Sequence, residues 1–317
     1  MLVTGGGGFI GSHTVDRLLR DGHGVRVLDN FATGRRENLL EVRSDVELIE
    51  GDIQSYERVS NAVRGCEIVL HQAALPSVPR SVQDPLTSNA TNVTGTLNVL
   101  LASRDAGVRR VVYASSSSIY GAGAELPKHE GLVPQPISPY AVAKLAGEGF
   151  CRSFWEVFGL ETVALRYFNV FGPRQDPLSQ YAAVIPNFIT ALMDGRAPTV
   201  FGDGEQSRDF TYVGNVVEGN VLAMYAEGVA GKVFNVAAGQ RTSLNELLQI
   251  LERLSGRHIN PSYEQPRPGD VRHSHADVSA AERGLGFRPR VSVEEGLRLT
   301  LDWFGASETP PLAARDG

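Results

Sequence analysis

A run of glycines near the amino terminus constrains the fold of this chain more than any other feature. The sequence Thr4-Gly5-Gly6-Gly7-Gly8-Phe9-Ile10-Gly11 separates a short β-rich run from an amphipathic helical pattern. Glycines in such a turn let the backbone approach a pyrophosphate closely, and the start of the following helix attracts the negative charge. The turn therefore predicts a dinucleotide-binding βαβ unit. Its spacing fits a frame that starts at Gly5 as well as one that starts at Gly6.

Asp29 ends the next β-rich run and indicates which dinucleotide is bound. A carboxylate at this position accepts hydrogen bonds from the hydroxyls of the adenosine ribose and repels a 2′-phosphate. NAD is therefore favoured over NADP. Arg35 and Arg36 follow shortly after Asp29 and keep NADP open as an alternative, because arginines can bind the 2′-phosphate.

Short β-rich runs alternate with amphipathic helical patterns through the first half of the chain. The runs are Leu2–Thr4, Val25–Asp29, Val46–Glu50, Ile68–His71, Arg110–Ala114 and Thr162–Arg166. The alternation predicts an α/β fold of the Rossmann type, a doubly wound parallel sheet with helices on both faces. We expect an NAD-binding domain over residues 1–169, to which segments near 212–236 return, and a smaller, irregular C-terminal α/β substrate lobe over residues 170–317.

Composition and charge limit the partners of the protein. The 317 residues carry a net charge of −6 and a pI near 5.7, which favours neither nucleic acid nor an anionic membrane surface as a partner. The sequence shows no signal-peptide pattern and no apolar run near the ~20 residues of a membrane span, so we expect a cytoplasmic protein. Cys66 and Cys151 lack metal-ligand spacing and are interpreted as packing residues, so no metal is expected.

Tyr140 and Lys144 lie four residues apart in a segment that follows Ser138-Pro139 and has the pattern of a helix. Side chains at this spacing leave the same face of a helix. The ammonium group of Lys144 would favour the phenolate form of Tyr140 and lower its pKa, so that the pair could supply a base near neutral pH. The spacing also occurs by chance in many helices, and the rest of the chain decides its weight.

Further motifs complete a pattern that spans nearly the whole chain, residues 2–304. Besides the glycine turn and Asp29 they are Ser115–Ser118, Tyr140 with Lys144, Arg166-Tyr167-Phe168-Asn169-Val170-Phe171-Gly172-Pro173-Arg174-Gln175-Asp176-Pro177 and Gly202-Asp203-Gly204-Glu205-Gln206-Ser207-Arg208-Asp209-Phe210. With them the sequence resembles the extended short-chain dehydrogenase/reductase superfamily, and within it the nucleotide-sugar epimerases. The resemblance implies an isomerase that binds NAD and inverts C4 of a UDP-sugar through a transient 4-keto intermediate.

The resemblance also implies roles for individual residues. The catalytic residues would be Ser116, Tyr140 and Lys144. The cofactor contacts would be Gly5, Gly8, Phe9, Ile10, Gly11, Asp29, Asn30, Gly34, Asp52, Ile53, Gln72, Ala73, Ala74, Asn92, Tyr140, Lys144 and Phe168. The substrate contacts would be Ser77, Ser116, Ser117, Asn169, Gln175, Ala183, Val184, Arg208, Arg267, Asp270 and Ser274. This assignment selects the glycine frame of Gly5, Gly8 and Gly11.

Two residues at predicted strand ends carry alternatives. Asp52 could accept a hydrogen bond from the adenine amino group or could N-cap the next helix. His71 ends the fourth β-rich run, and we interpret it as a packed histidine rather than a catalyst.

The residues around the predicted sugar site separate the possible reactions. Related dehydratases carry an Asp-Glu pair, and decarboxylases a glutamate, where this chain has Ser117 and Ser118, so plain epimerisation is favoured. Ser274 is small at a position where the family often has a tyrosine when only the non-acetylated hexose is accepted. The resemblance therefore favours UDP-N-acetylglucosamine and UDP-N-acetylgalactosamine, with UDP-glucose and UDP-galactose as further substrates.

Alternatives and partners complete the prediction. A UDP-glucuronate 4-epimerase, another nucleotide-sugar dehydratase or decarboxylase, and a non-catalytic NAD-binding sensor stay open. We expect a homodimer that forms through helices near residues 84–106 and 139–158.

Overall fold

The computed structural model describes residues 1–123, 125–177, 183–266 and 272–306. Its strands, in chain order, are β1 Leu2–Thr4, β2 Val25–Asp29, β3 Val46–Glu50, β4 Ile68–His71, β5 Arg110–Ser116, β6 Glu161–Tyr167, β7 Val170–Phe171, β8 Thr199–Phe201, β9 Ser207–Arg208, β10 Thr211–Tyr212, β11 Lys232–Val236, β12 Thr242–Ser243 and β13 Ser262–Glu264. Its α-helices are α1 Phe9–Arg20, α2 Tyr56–Val63, α3 Val78–Gln83, α4 Pro85–Asn89, α5 Gly95–Asp105, α6 Pro139–Phe158, α7 Val184–Met193, α8 Val213–Tyr225, α9 Leu244–Ser255, α10 Ser279–Leu285 and α11 Val293–Ala306.

A seven-stranded sheet in the order β11-β6-β5-β4-β1-β2-β3 forms the centre of the molecule. All of its strand pairs are parallel. The strand order reverses between β1 and β4, and ligands of open α/β sheets bind at such a point, outside the carboxyl ends of the strands. The prediction of a doubly wound, Rossmann-type parallel sheet is confirmed.

Apolar side chains cover both faces of this sheet, as the near-continuous hydrophobic strands require. One buried cluster includes Val15 and Leu18 of α1, Val216 of α8 and Leu285 of α10. The cluster on the opposite face includes side chains of α2, α5 and α6, with Cys151 among them. The sheet therefore holds its strand ends, and with them the loops that follow, in fixed positions.

The chain returns to the sheet late in the sequence. Helix α8 packs against α1, and β11 adds to the edge of the sheet beside β6. A separate buried cluster joins α7, α9 and α11 and includes Phe188, Leu247 and Leu297. The smaller sheets, which pair β7 with β10, β8 with β13 and β9 with β12, each contain two strands.

The predicted helix over residues 84–106 is interrupted. A π-turn at Ala90–Thr94 separates α4 from α5 and places Asn92 at the distortion. The helix that carries Tyr140 forms as expected, because the Ser138 hydroxyl accepts from Ala141 N at 3.2 Å, Pro139 stands at its first turn and Gly159 ends it in the left-handed conformation. Of the helices within the described ranges, none is long and apolar enough to cross a membrane.

Candidate active site

The glycine turn brings three backbone segments into contact at the carboxyl end of β1. A Cβ atom at Gly11 would overlap the carbonyl oxygen of Gly5 and lie 2.8 Å from its carbonyl carbon. Gly5 itself has a φ of +70°, and a Cβ there would lie 2.7 Å from the Cα of Ala73. Both positions exclude any larger residue, because the obstructing atoms belong to the backbone. Gly5 and Gly11 are both members of the glycine spacing that starts at Gly5.

The start of α1 offers backbone N–H groups to a bound anion. Gly8 is the N-cap residue of α1, and no side chain of the described residues caps it. An uncapped helix start favours a phosphate group through its free N–H groups and its dipole. The close glycine turn and this helix start fit the pyrophosphate of a dinucleotide.

Asp29 lies directly beneath the turn. Its carboxylate accepts from Gly7 N at 2.8 Å and from Phe31 N at 2.7 Å. Burial raises the pKa of Asp29, while these two backbone hydrogen bonds oppose the rise. The loop after β2 closes over the turn, since a Cβ at Gly34 would lie 2.9 Å from the carbonyl carbon of Gly7.

The two arginines of this loop have partners within the protein. Arg35 Nη2 lies 2.6 Å from Asp176 Oδ1, and Arg36 Nη2 lies 2.6 Å from Glu50 Oε2. The NADP alternative required these guanidinium groups to bind a 2′-phosphate. Their engagement with carboxylates argues against it.

Asp52 does not cap a helix, so that alternative was wrong. Ser55 is the N-cap of α2, and its hydroxyl accepts from Arg58 N. The Asp52 carboxylate instead accepts from Asn30 Nδ2 and from Gln54 N, each at 2.8 Å. Asn30 and Asp52 thus join the ends of β2 and β3 at the predicted adenosine side.

Asn92 holds the loop that follows β4. Its side-chain amide accepts from Leu75 N at 2.8 Å and donates to Leu75 O at 3.2 Å, and the residue is buried. Ile53 is also buried and packs against Gly95. These contacts fix the backbone of the loop that contains Ala73 and Ala74.

The remaining predicted cofactor residues lie at the ends of β4 and β6. Gln72 Nε2 donates to the hydroxyl of Tyr167 at 3.1 Å. Phe168 is buried and packs beside the Tyr120 ring, with 6.1 Å between ring centroids. His71 is a packed histidine as expected: both ring nitrogens have hydroxyl partners, and burial lowers its pKa to about 3.

Tyr140 and Lys144 leave the same face of α6, next to the end of β5. The Lys144 ammonium donates to Ala114 O at 2.8 Å and lies 5.9 Å from the centroid of the Tyr140 ring. Burial raises the pKa of Tyr140 to about 12 and lowers that of Lys144 to about 8. In the protein groups alone, burial raises the pKa of Tyr140 more than the hydrogen bond of Ser116 lowers it, so a base near neutral pH needs further positive charge in the site.

Ser116 is the residue that favours the phenolate. Its hydrogen bond to Tyr140 lowers the phenol pKa against the effect of burial. Ser116 Oγ also accepts from Ser118 N at 3.2 Å and caps a short 3-10 helix, Ser117–Tyr120. Ser116, Ser117 and Ser118 are partly exposed at the carboxyl end of β5. The structure thus brings Ser116, Tyr140 and Lys144 together.

Arg208 and Ser274 meet on the other side of the cleft. The carbonyl oxygen of Ser207 accepts from Arg208 Nη1 and from Ser274 N, each at 3.0 Å. Arg208 Nη1 also donates to Arg272 O at 3.1 Å. Arg267 and Asp270, predicted on the same side, lie outside the described residues.

The other predicted substrate residues occupy separate segments. Asn169 has a φ of +34° and donates to Asp209 O, while Gln175 Nε2 donates to Val170 O at 3.1 Å. Ser77 caps α3, and Ala183 and Val184 form the start of α7. These residues come from four stretches of chain, so only the tertiary structure relates them.

Buried charges near the site were missed by the sequence reasoning. Glu148 and Arg166 form a buried ion pair below the serine run. The Asp209 carboxylate accepts from Ala238 N and Ala276 N, and burial raises its pKa to about 7. A signal existed for Arg166, which is a charge that follows the apolar run Val163–Leu165 near the carboxyl end of a strand. Glu148, eight residues after Tyr140 on the same helix, offered a similar one.

Comparisons with known proteins agree with this geometry. Residues 1–237 match the sequence profile described as "NAD dependent epimerase/dehydratase family". A UDP-N-acetylglucosamine 4-epimerase from Methanobrevibacter ruminantium, solved with UDP-N-acetylmuramic acid, is 41% identical and superposes with a TM-score of 0.92, covering 96% of this chain and 97% of its own.

Two further similar proteins extend the comparison. The UDP-glucose 4-epimerase from Thermus thermophilus, solved with NAD, is 39% identical with a TM-score of 0.88, covering 96% of this chain and 99% of its own. A UDP-glucuronate 4-epimerase from Thermodesulfobacterium geofontis is 34% identical over 313 residues, covering 95% of this chain and 95% of the relative. These proteins differ in the sugar that their names give.

Proposed function

The chain belongs to the NAD-dependent epimerase/dehydratase family and is a UDP-sugar 4-epimerase that uses NAD, and we propose that its main substrates are UDP-N-acetylglucosamine and UDP-N-acetylgalactosamine. The observation that carries the reaction is the meeting of Ser116, Tyr140 and Lys144 beside the glycine turn. The choice of sugar rests on Ser274, a small residue whose backbone N–H shares the Ser207 carbonyl oxygen with the Arg208 side chain.

Each member of the catalytic group has a distinct part. Tyr140 as the phenolate takes the proton from the 4-hydroxyl of the sugar. It returns the proton after the 4-keto form has rotated in the site and exposed its other face. Ser116 shares this proton through its hydrogen bond to Tyr140. Lys144, held on Ala114 O, places a positive charge beside the phenolate. NAD, when bound, accepts and returns the hydride of C4.

Burial opposes formation of the Tyr140 phenolate in the protein without its cofactor. Burial keeps the pKa of Tyr140 at about 12, so the phenolate is scarce at neutral pH. A further positive charge inside the closed cleft favours the phenolate. The nicotinamide ring of the oxidised cofactor carries such a charge. Proton removal is therefore coupled to the presence of the cofactor.

The absence of a carboxylate after Ser116 favours inversion over elimination. Ser117 and Ser118 follow Ser116, and neither can protonate a leaving hydroxyl as a carboxylic acid does. The reaction therefore stops at the ketone and its reduction on the opposite face. The same absence disfavours dehydratase and decarboxylase activity.

The test compares three sugars. Purified protein without added NAD is incubated separately with UDP-N-acetylglucosamine, UDP-glucose and UDP-glucuronate, and inversion at C4 is followed by NMR. We expect inversion of the first two, with the N-acetylated sugar turned over faster. Faster inversion of UDP-glucuronate would overturn the proposed substrate, and three unchanged sugars would support a non-catalytic NAD-binding sensor.

A tyrosine variant assigns the base. Tyr140→Phe is expected to lower kcat by about 100- to 10,000-fold, the usual contribution of a general acid–base residue. Tyr56→Phe is the matched control, because the exposed Tyr56 hydroxyl donates only to Asp105, at 2.8 Å. An active Tyr140→Phe enzyme would remove Tyr140 from the mechanism.

We also propose a homodimer that forms through α4, α5 and α6. Apolar side chains of this face are exposed: Leu86 is 83% exposed, Ile137 62% and Val142 53%. A contiguous exposed apolar surface favours association. Light scattering is expected to give twice the chain mass for the wild type and a monomer for Leu86→Glu. Leu40→Glu, at a residue 66% exposed elsewhere, is the control and should stay dimeric.

A further inference from the structure

A buried ion pair joins α6 to β6 below the catalytic group. Arg166 Nε lies 2.9 Å from Glu148 Oε1, and Arg166 Nη2 lies 2.7 Å from Glu148 Oε2. Each side chain is 5% exposed. Removing two charges from water costs several kcal/mol, so a buried pair of this kind is weak evidence for stability. The other residues that the pair binds are therefore more informative than its contribution to stability.

The pair contacts both ends of the catalytic serine segment. The Ser115 hydroxyl donates to Glu148 Oε1 at one end. At the other end, Arg166 Nη1 donates to the hydroxyl of Tyr120 at 2.8 Å, and that hydroxyl donates to Asn235 Oδ1 at 2.7 Å. Residues 116–119 lie between these two anchors. A single ion pair therefore fixes the beginning and the end of the segment that carries Ser116.

The same pair is attached to the helix of the proposed base. Tyr140, Lys144 and Glu148 follow one another at intervals of four residues on α6 and so lie along one face. Ser115 and Arg166 are cross-strand neighbours in the pairing of β5 with β6. Glu148 thus links the helix that holds Tyr140 to the strand ends that hold Ser116. Neither residue of the pair is among the predicted contacts of the sugar or the cofactor.

We propose that Glu148 and Arg166 are positioning residues that hold Ser116 within hydrogen-bond distance of Tyr140. This inference rests on the proposed function, which assigns proton transfer to Ser116 and Tyr140. A small displacement of either group disrupts a hydrogen bond whose length must stay near 2.7 Å. A misplacement of about 1 Å can cost about 100-fold in rate.

The molecule contains a matched control at the opposite end of the same two strands. Arg110 pairs with Glu161 at 2.8 Å, and the Arg110 side chain is 4% exposed. These residues are cross-strand partners at the amino ends of β5 and β6. Arg110 also donates to Ala223 O and Ala226 O at the end of α8, so this pair lies at the end of β5 remote from Ser116 and, within the described residues, makes no hydrogen bond or ion pair with α6. A change there tests the stability of the sheet alone.

The experiment replaces each pair with apolar side chains of similar length. Glu148→Met/Arg166→Met is compared with Arg110→Met/Glu161→Met, since replacing both members of a pair leaves neither without its partner; Glu161 is 32% exposed, so the control pair is buried only on its Arg110 side. We expect the first variant to lower kcat by about 10- to 100-fold with KM within about threefold, and the second to leave kcat within about twofold, whatever their Tm values. Equal kcat losses in both variants, or none in the first, would overturn the proposal.

A second variant and a structural readout complete the test. Glu148→Gln keeps the shape of the side chain and an oxygen that can accept from Arg166, removes the charge, and is examined beside the double variant. Crystal structures with NAD should show the Ser116–Tyr140 hydrogen bond intact in the Arg110/Glu161 variant and broken in Glu148→Gln. An intact bond in Glu148→Gln contradicts the positioning role. If the wild type inverts no UDP-sugar, the proposed function fails, while the crystal structures still decide whether the pair positions Ser116.

Discussion

The cofactor side and the sugar side of the cleft are built in different ways. On the cofactor side, the glycine turn packs backbone against backbone, both its own and that of Ala73, and a single added methyl group has no space at Gly11. On the sugar side, residues of distant segments meet: the Arg208 side chain and the Ser274 backbone N–H both donate to the carbonyl of Ser207. Substitution on the first side should therefore abolish binding. Substitution on the second should change which sugar is accepted.

The largest effect is expected from Gly11→Ala. The new Cβ would overlap the Gly5 carbonyl oxygen, so the turn must open and lose its approach to the pyrophosphate. We expect retained NAD, measured by absorbance after denaturation, to fall by more than about 100-fold. Gly149→Ala is the control, because no heavy atom lies within 4 Å of a Cβ there. Normal NAD retention in Gly11→Ala would contradict the proposed difference between the cofactor side and the sugar side.

Ser116→Ala tests the serine at the point where the cofactor side and the sugar side meet. The loss is expected to be about 100-fold in kcat at neutral pH, at the low end of general acid–base effects. The Ser116 hydrogen bond lowers the pKa of Tyr140, so its removal raises that pKa and the phenolate forms only at higher pH. The acid limb of the kcat profile should therefore move to higher pH. A lower kcat with an unmoved limb would give Ser116 a role in binding instead.

Ser274→Tyr tests the sugar side. A bulky side chain beside Arg208 is expected to lower kcat/KM for UDP-N-acetylglucosamine by about 10-fold or more and to leave UDP-glucose within about twofold. Ser274→Ala, which adds no bulk, should keep both activities. Parallel loss of both substrates in Ser274→Tyr would show that the C2 substituent does not lie near this residue.

The smallest effect is expected from Arg35→Gln, which breaks a surface ion pair between the cofactor side and the sugar side. Arg35 of the loop over the glycine turn pairs with Asp176, next to Gln175 on the sugar side, and the side chains are 37% and 35% exposed. Pairs this exposed contribute about 0–1 kcal/mol, so Arg35→Gln should weaken NAD binding by no more than about fivefold. Titration of NAD-free protein measures it. Arg36→Gln, which breaks the neighbouring pair with Glu50, is the control. Equal losses of NAD affinity in the two variants would show that the Arg35–Asp176 pair does not couple the cofactor side to the sugar side.

Local sequence patterns predicted much of the fold. The strands of the central sheet, the glycine turn, the Asp29 carboxylate below it and the helix that carries Tyr140 all follow from short-range rules for turns, caps and hydrophobic periodicity. Tyr140 and Lys144 share a face because a helix repeats every 3.6 residues. The π-turn at Asn92 was missed, because a one-residue insertion in a helix leaves no periodic signal.

Long-range contacts explain the errors. The pKa of Tyr140 could not be derived from its spacing to Lys144, since burial by the surrounding elements raises it more than the hydrogen bond of Ser116 lowers it. The partners of Asp52 and Arg35 come from other loops. Glu148 and Arg166 are eighteen positions apart in sequence, and only the packing of α6 on the sheet makes them an ion pair.

The sequence by itself determined the glycine turn and the helical placement of Tyr140, the proposed base, because each depends on residues within one or two turns of chain. The tertiary structure alone decided how these elements meet: Ser116 against Tyr140, Glu148 against Arg166, and Arg208 beside Ser274. Burial and parallel strand pairing set those distances, and both are properties of the assembled sheet rather than of any segment. The glycine turn can be recognised in the sequence, whereas the site that contains it forms only when the chain has folded.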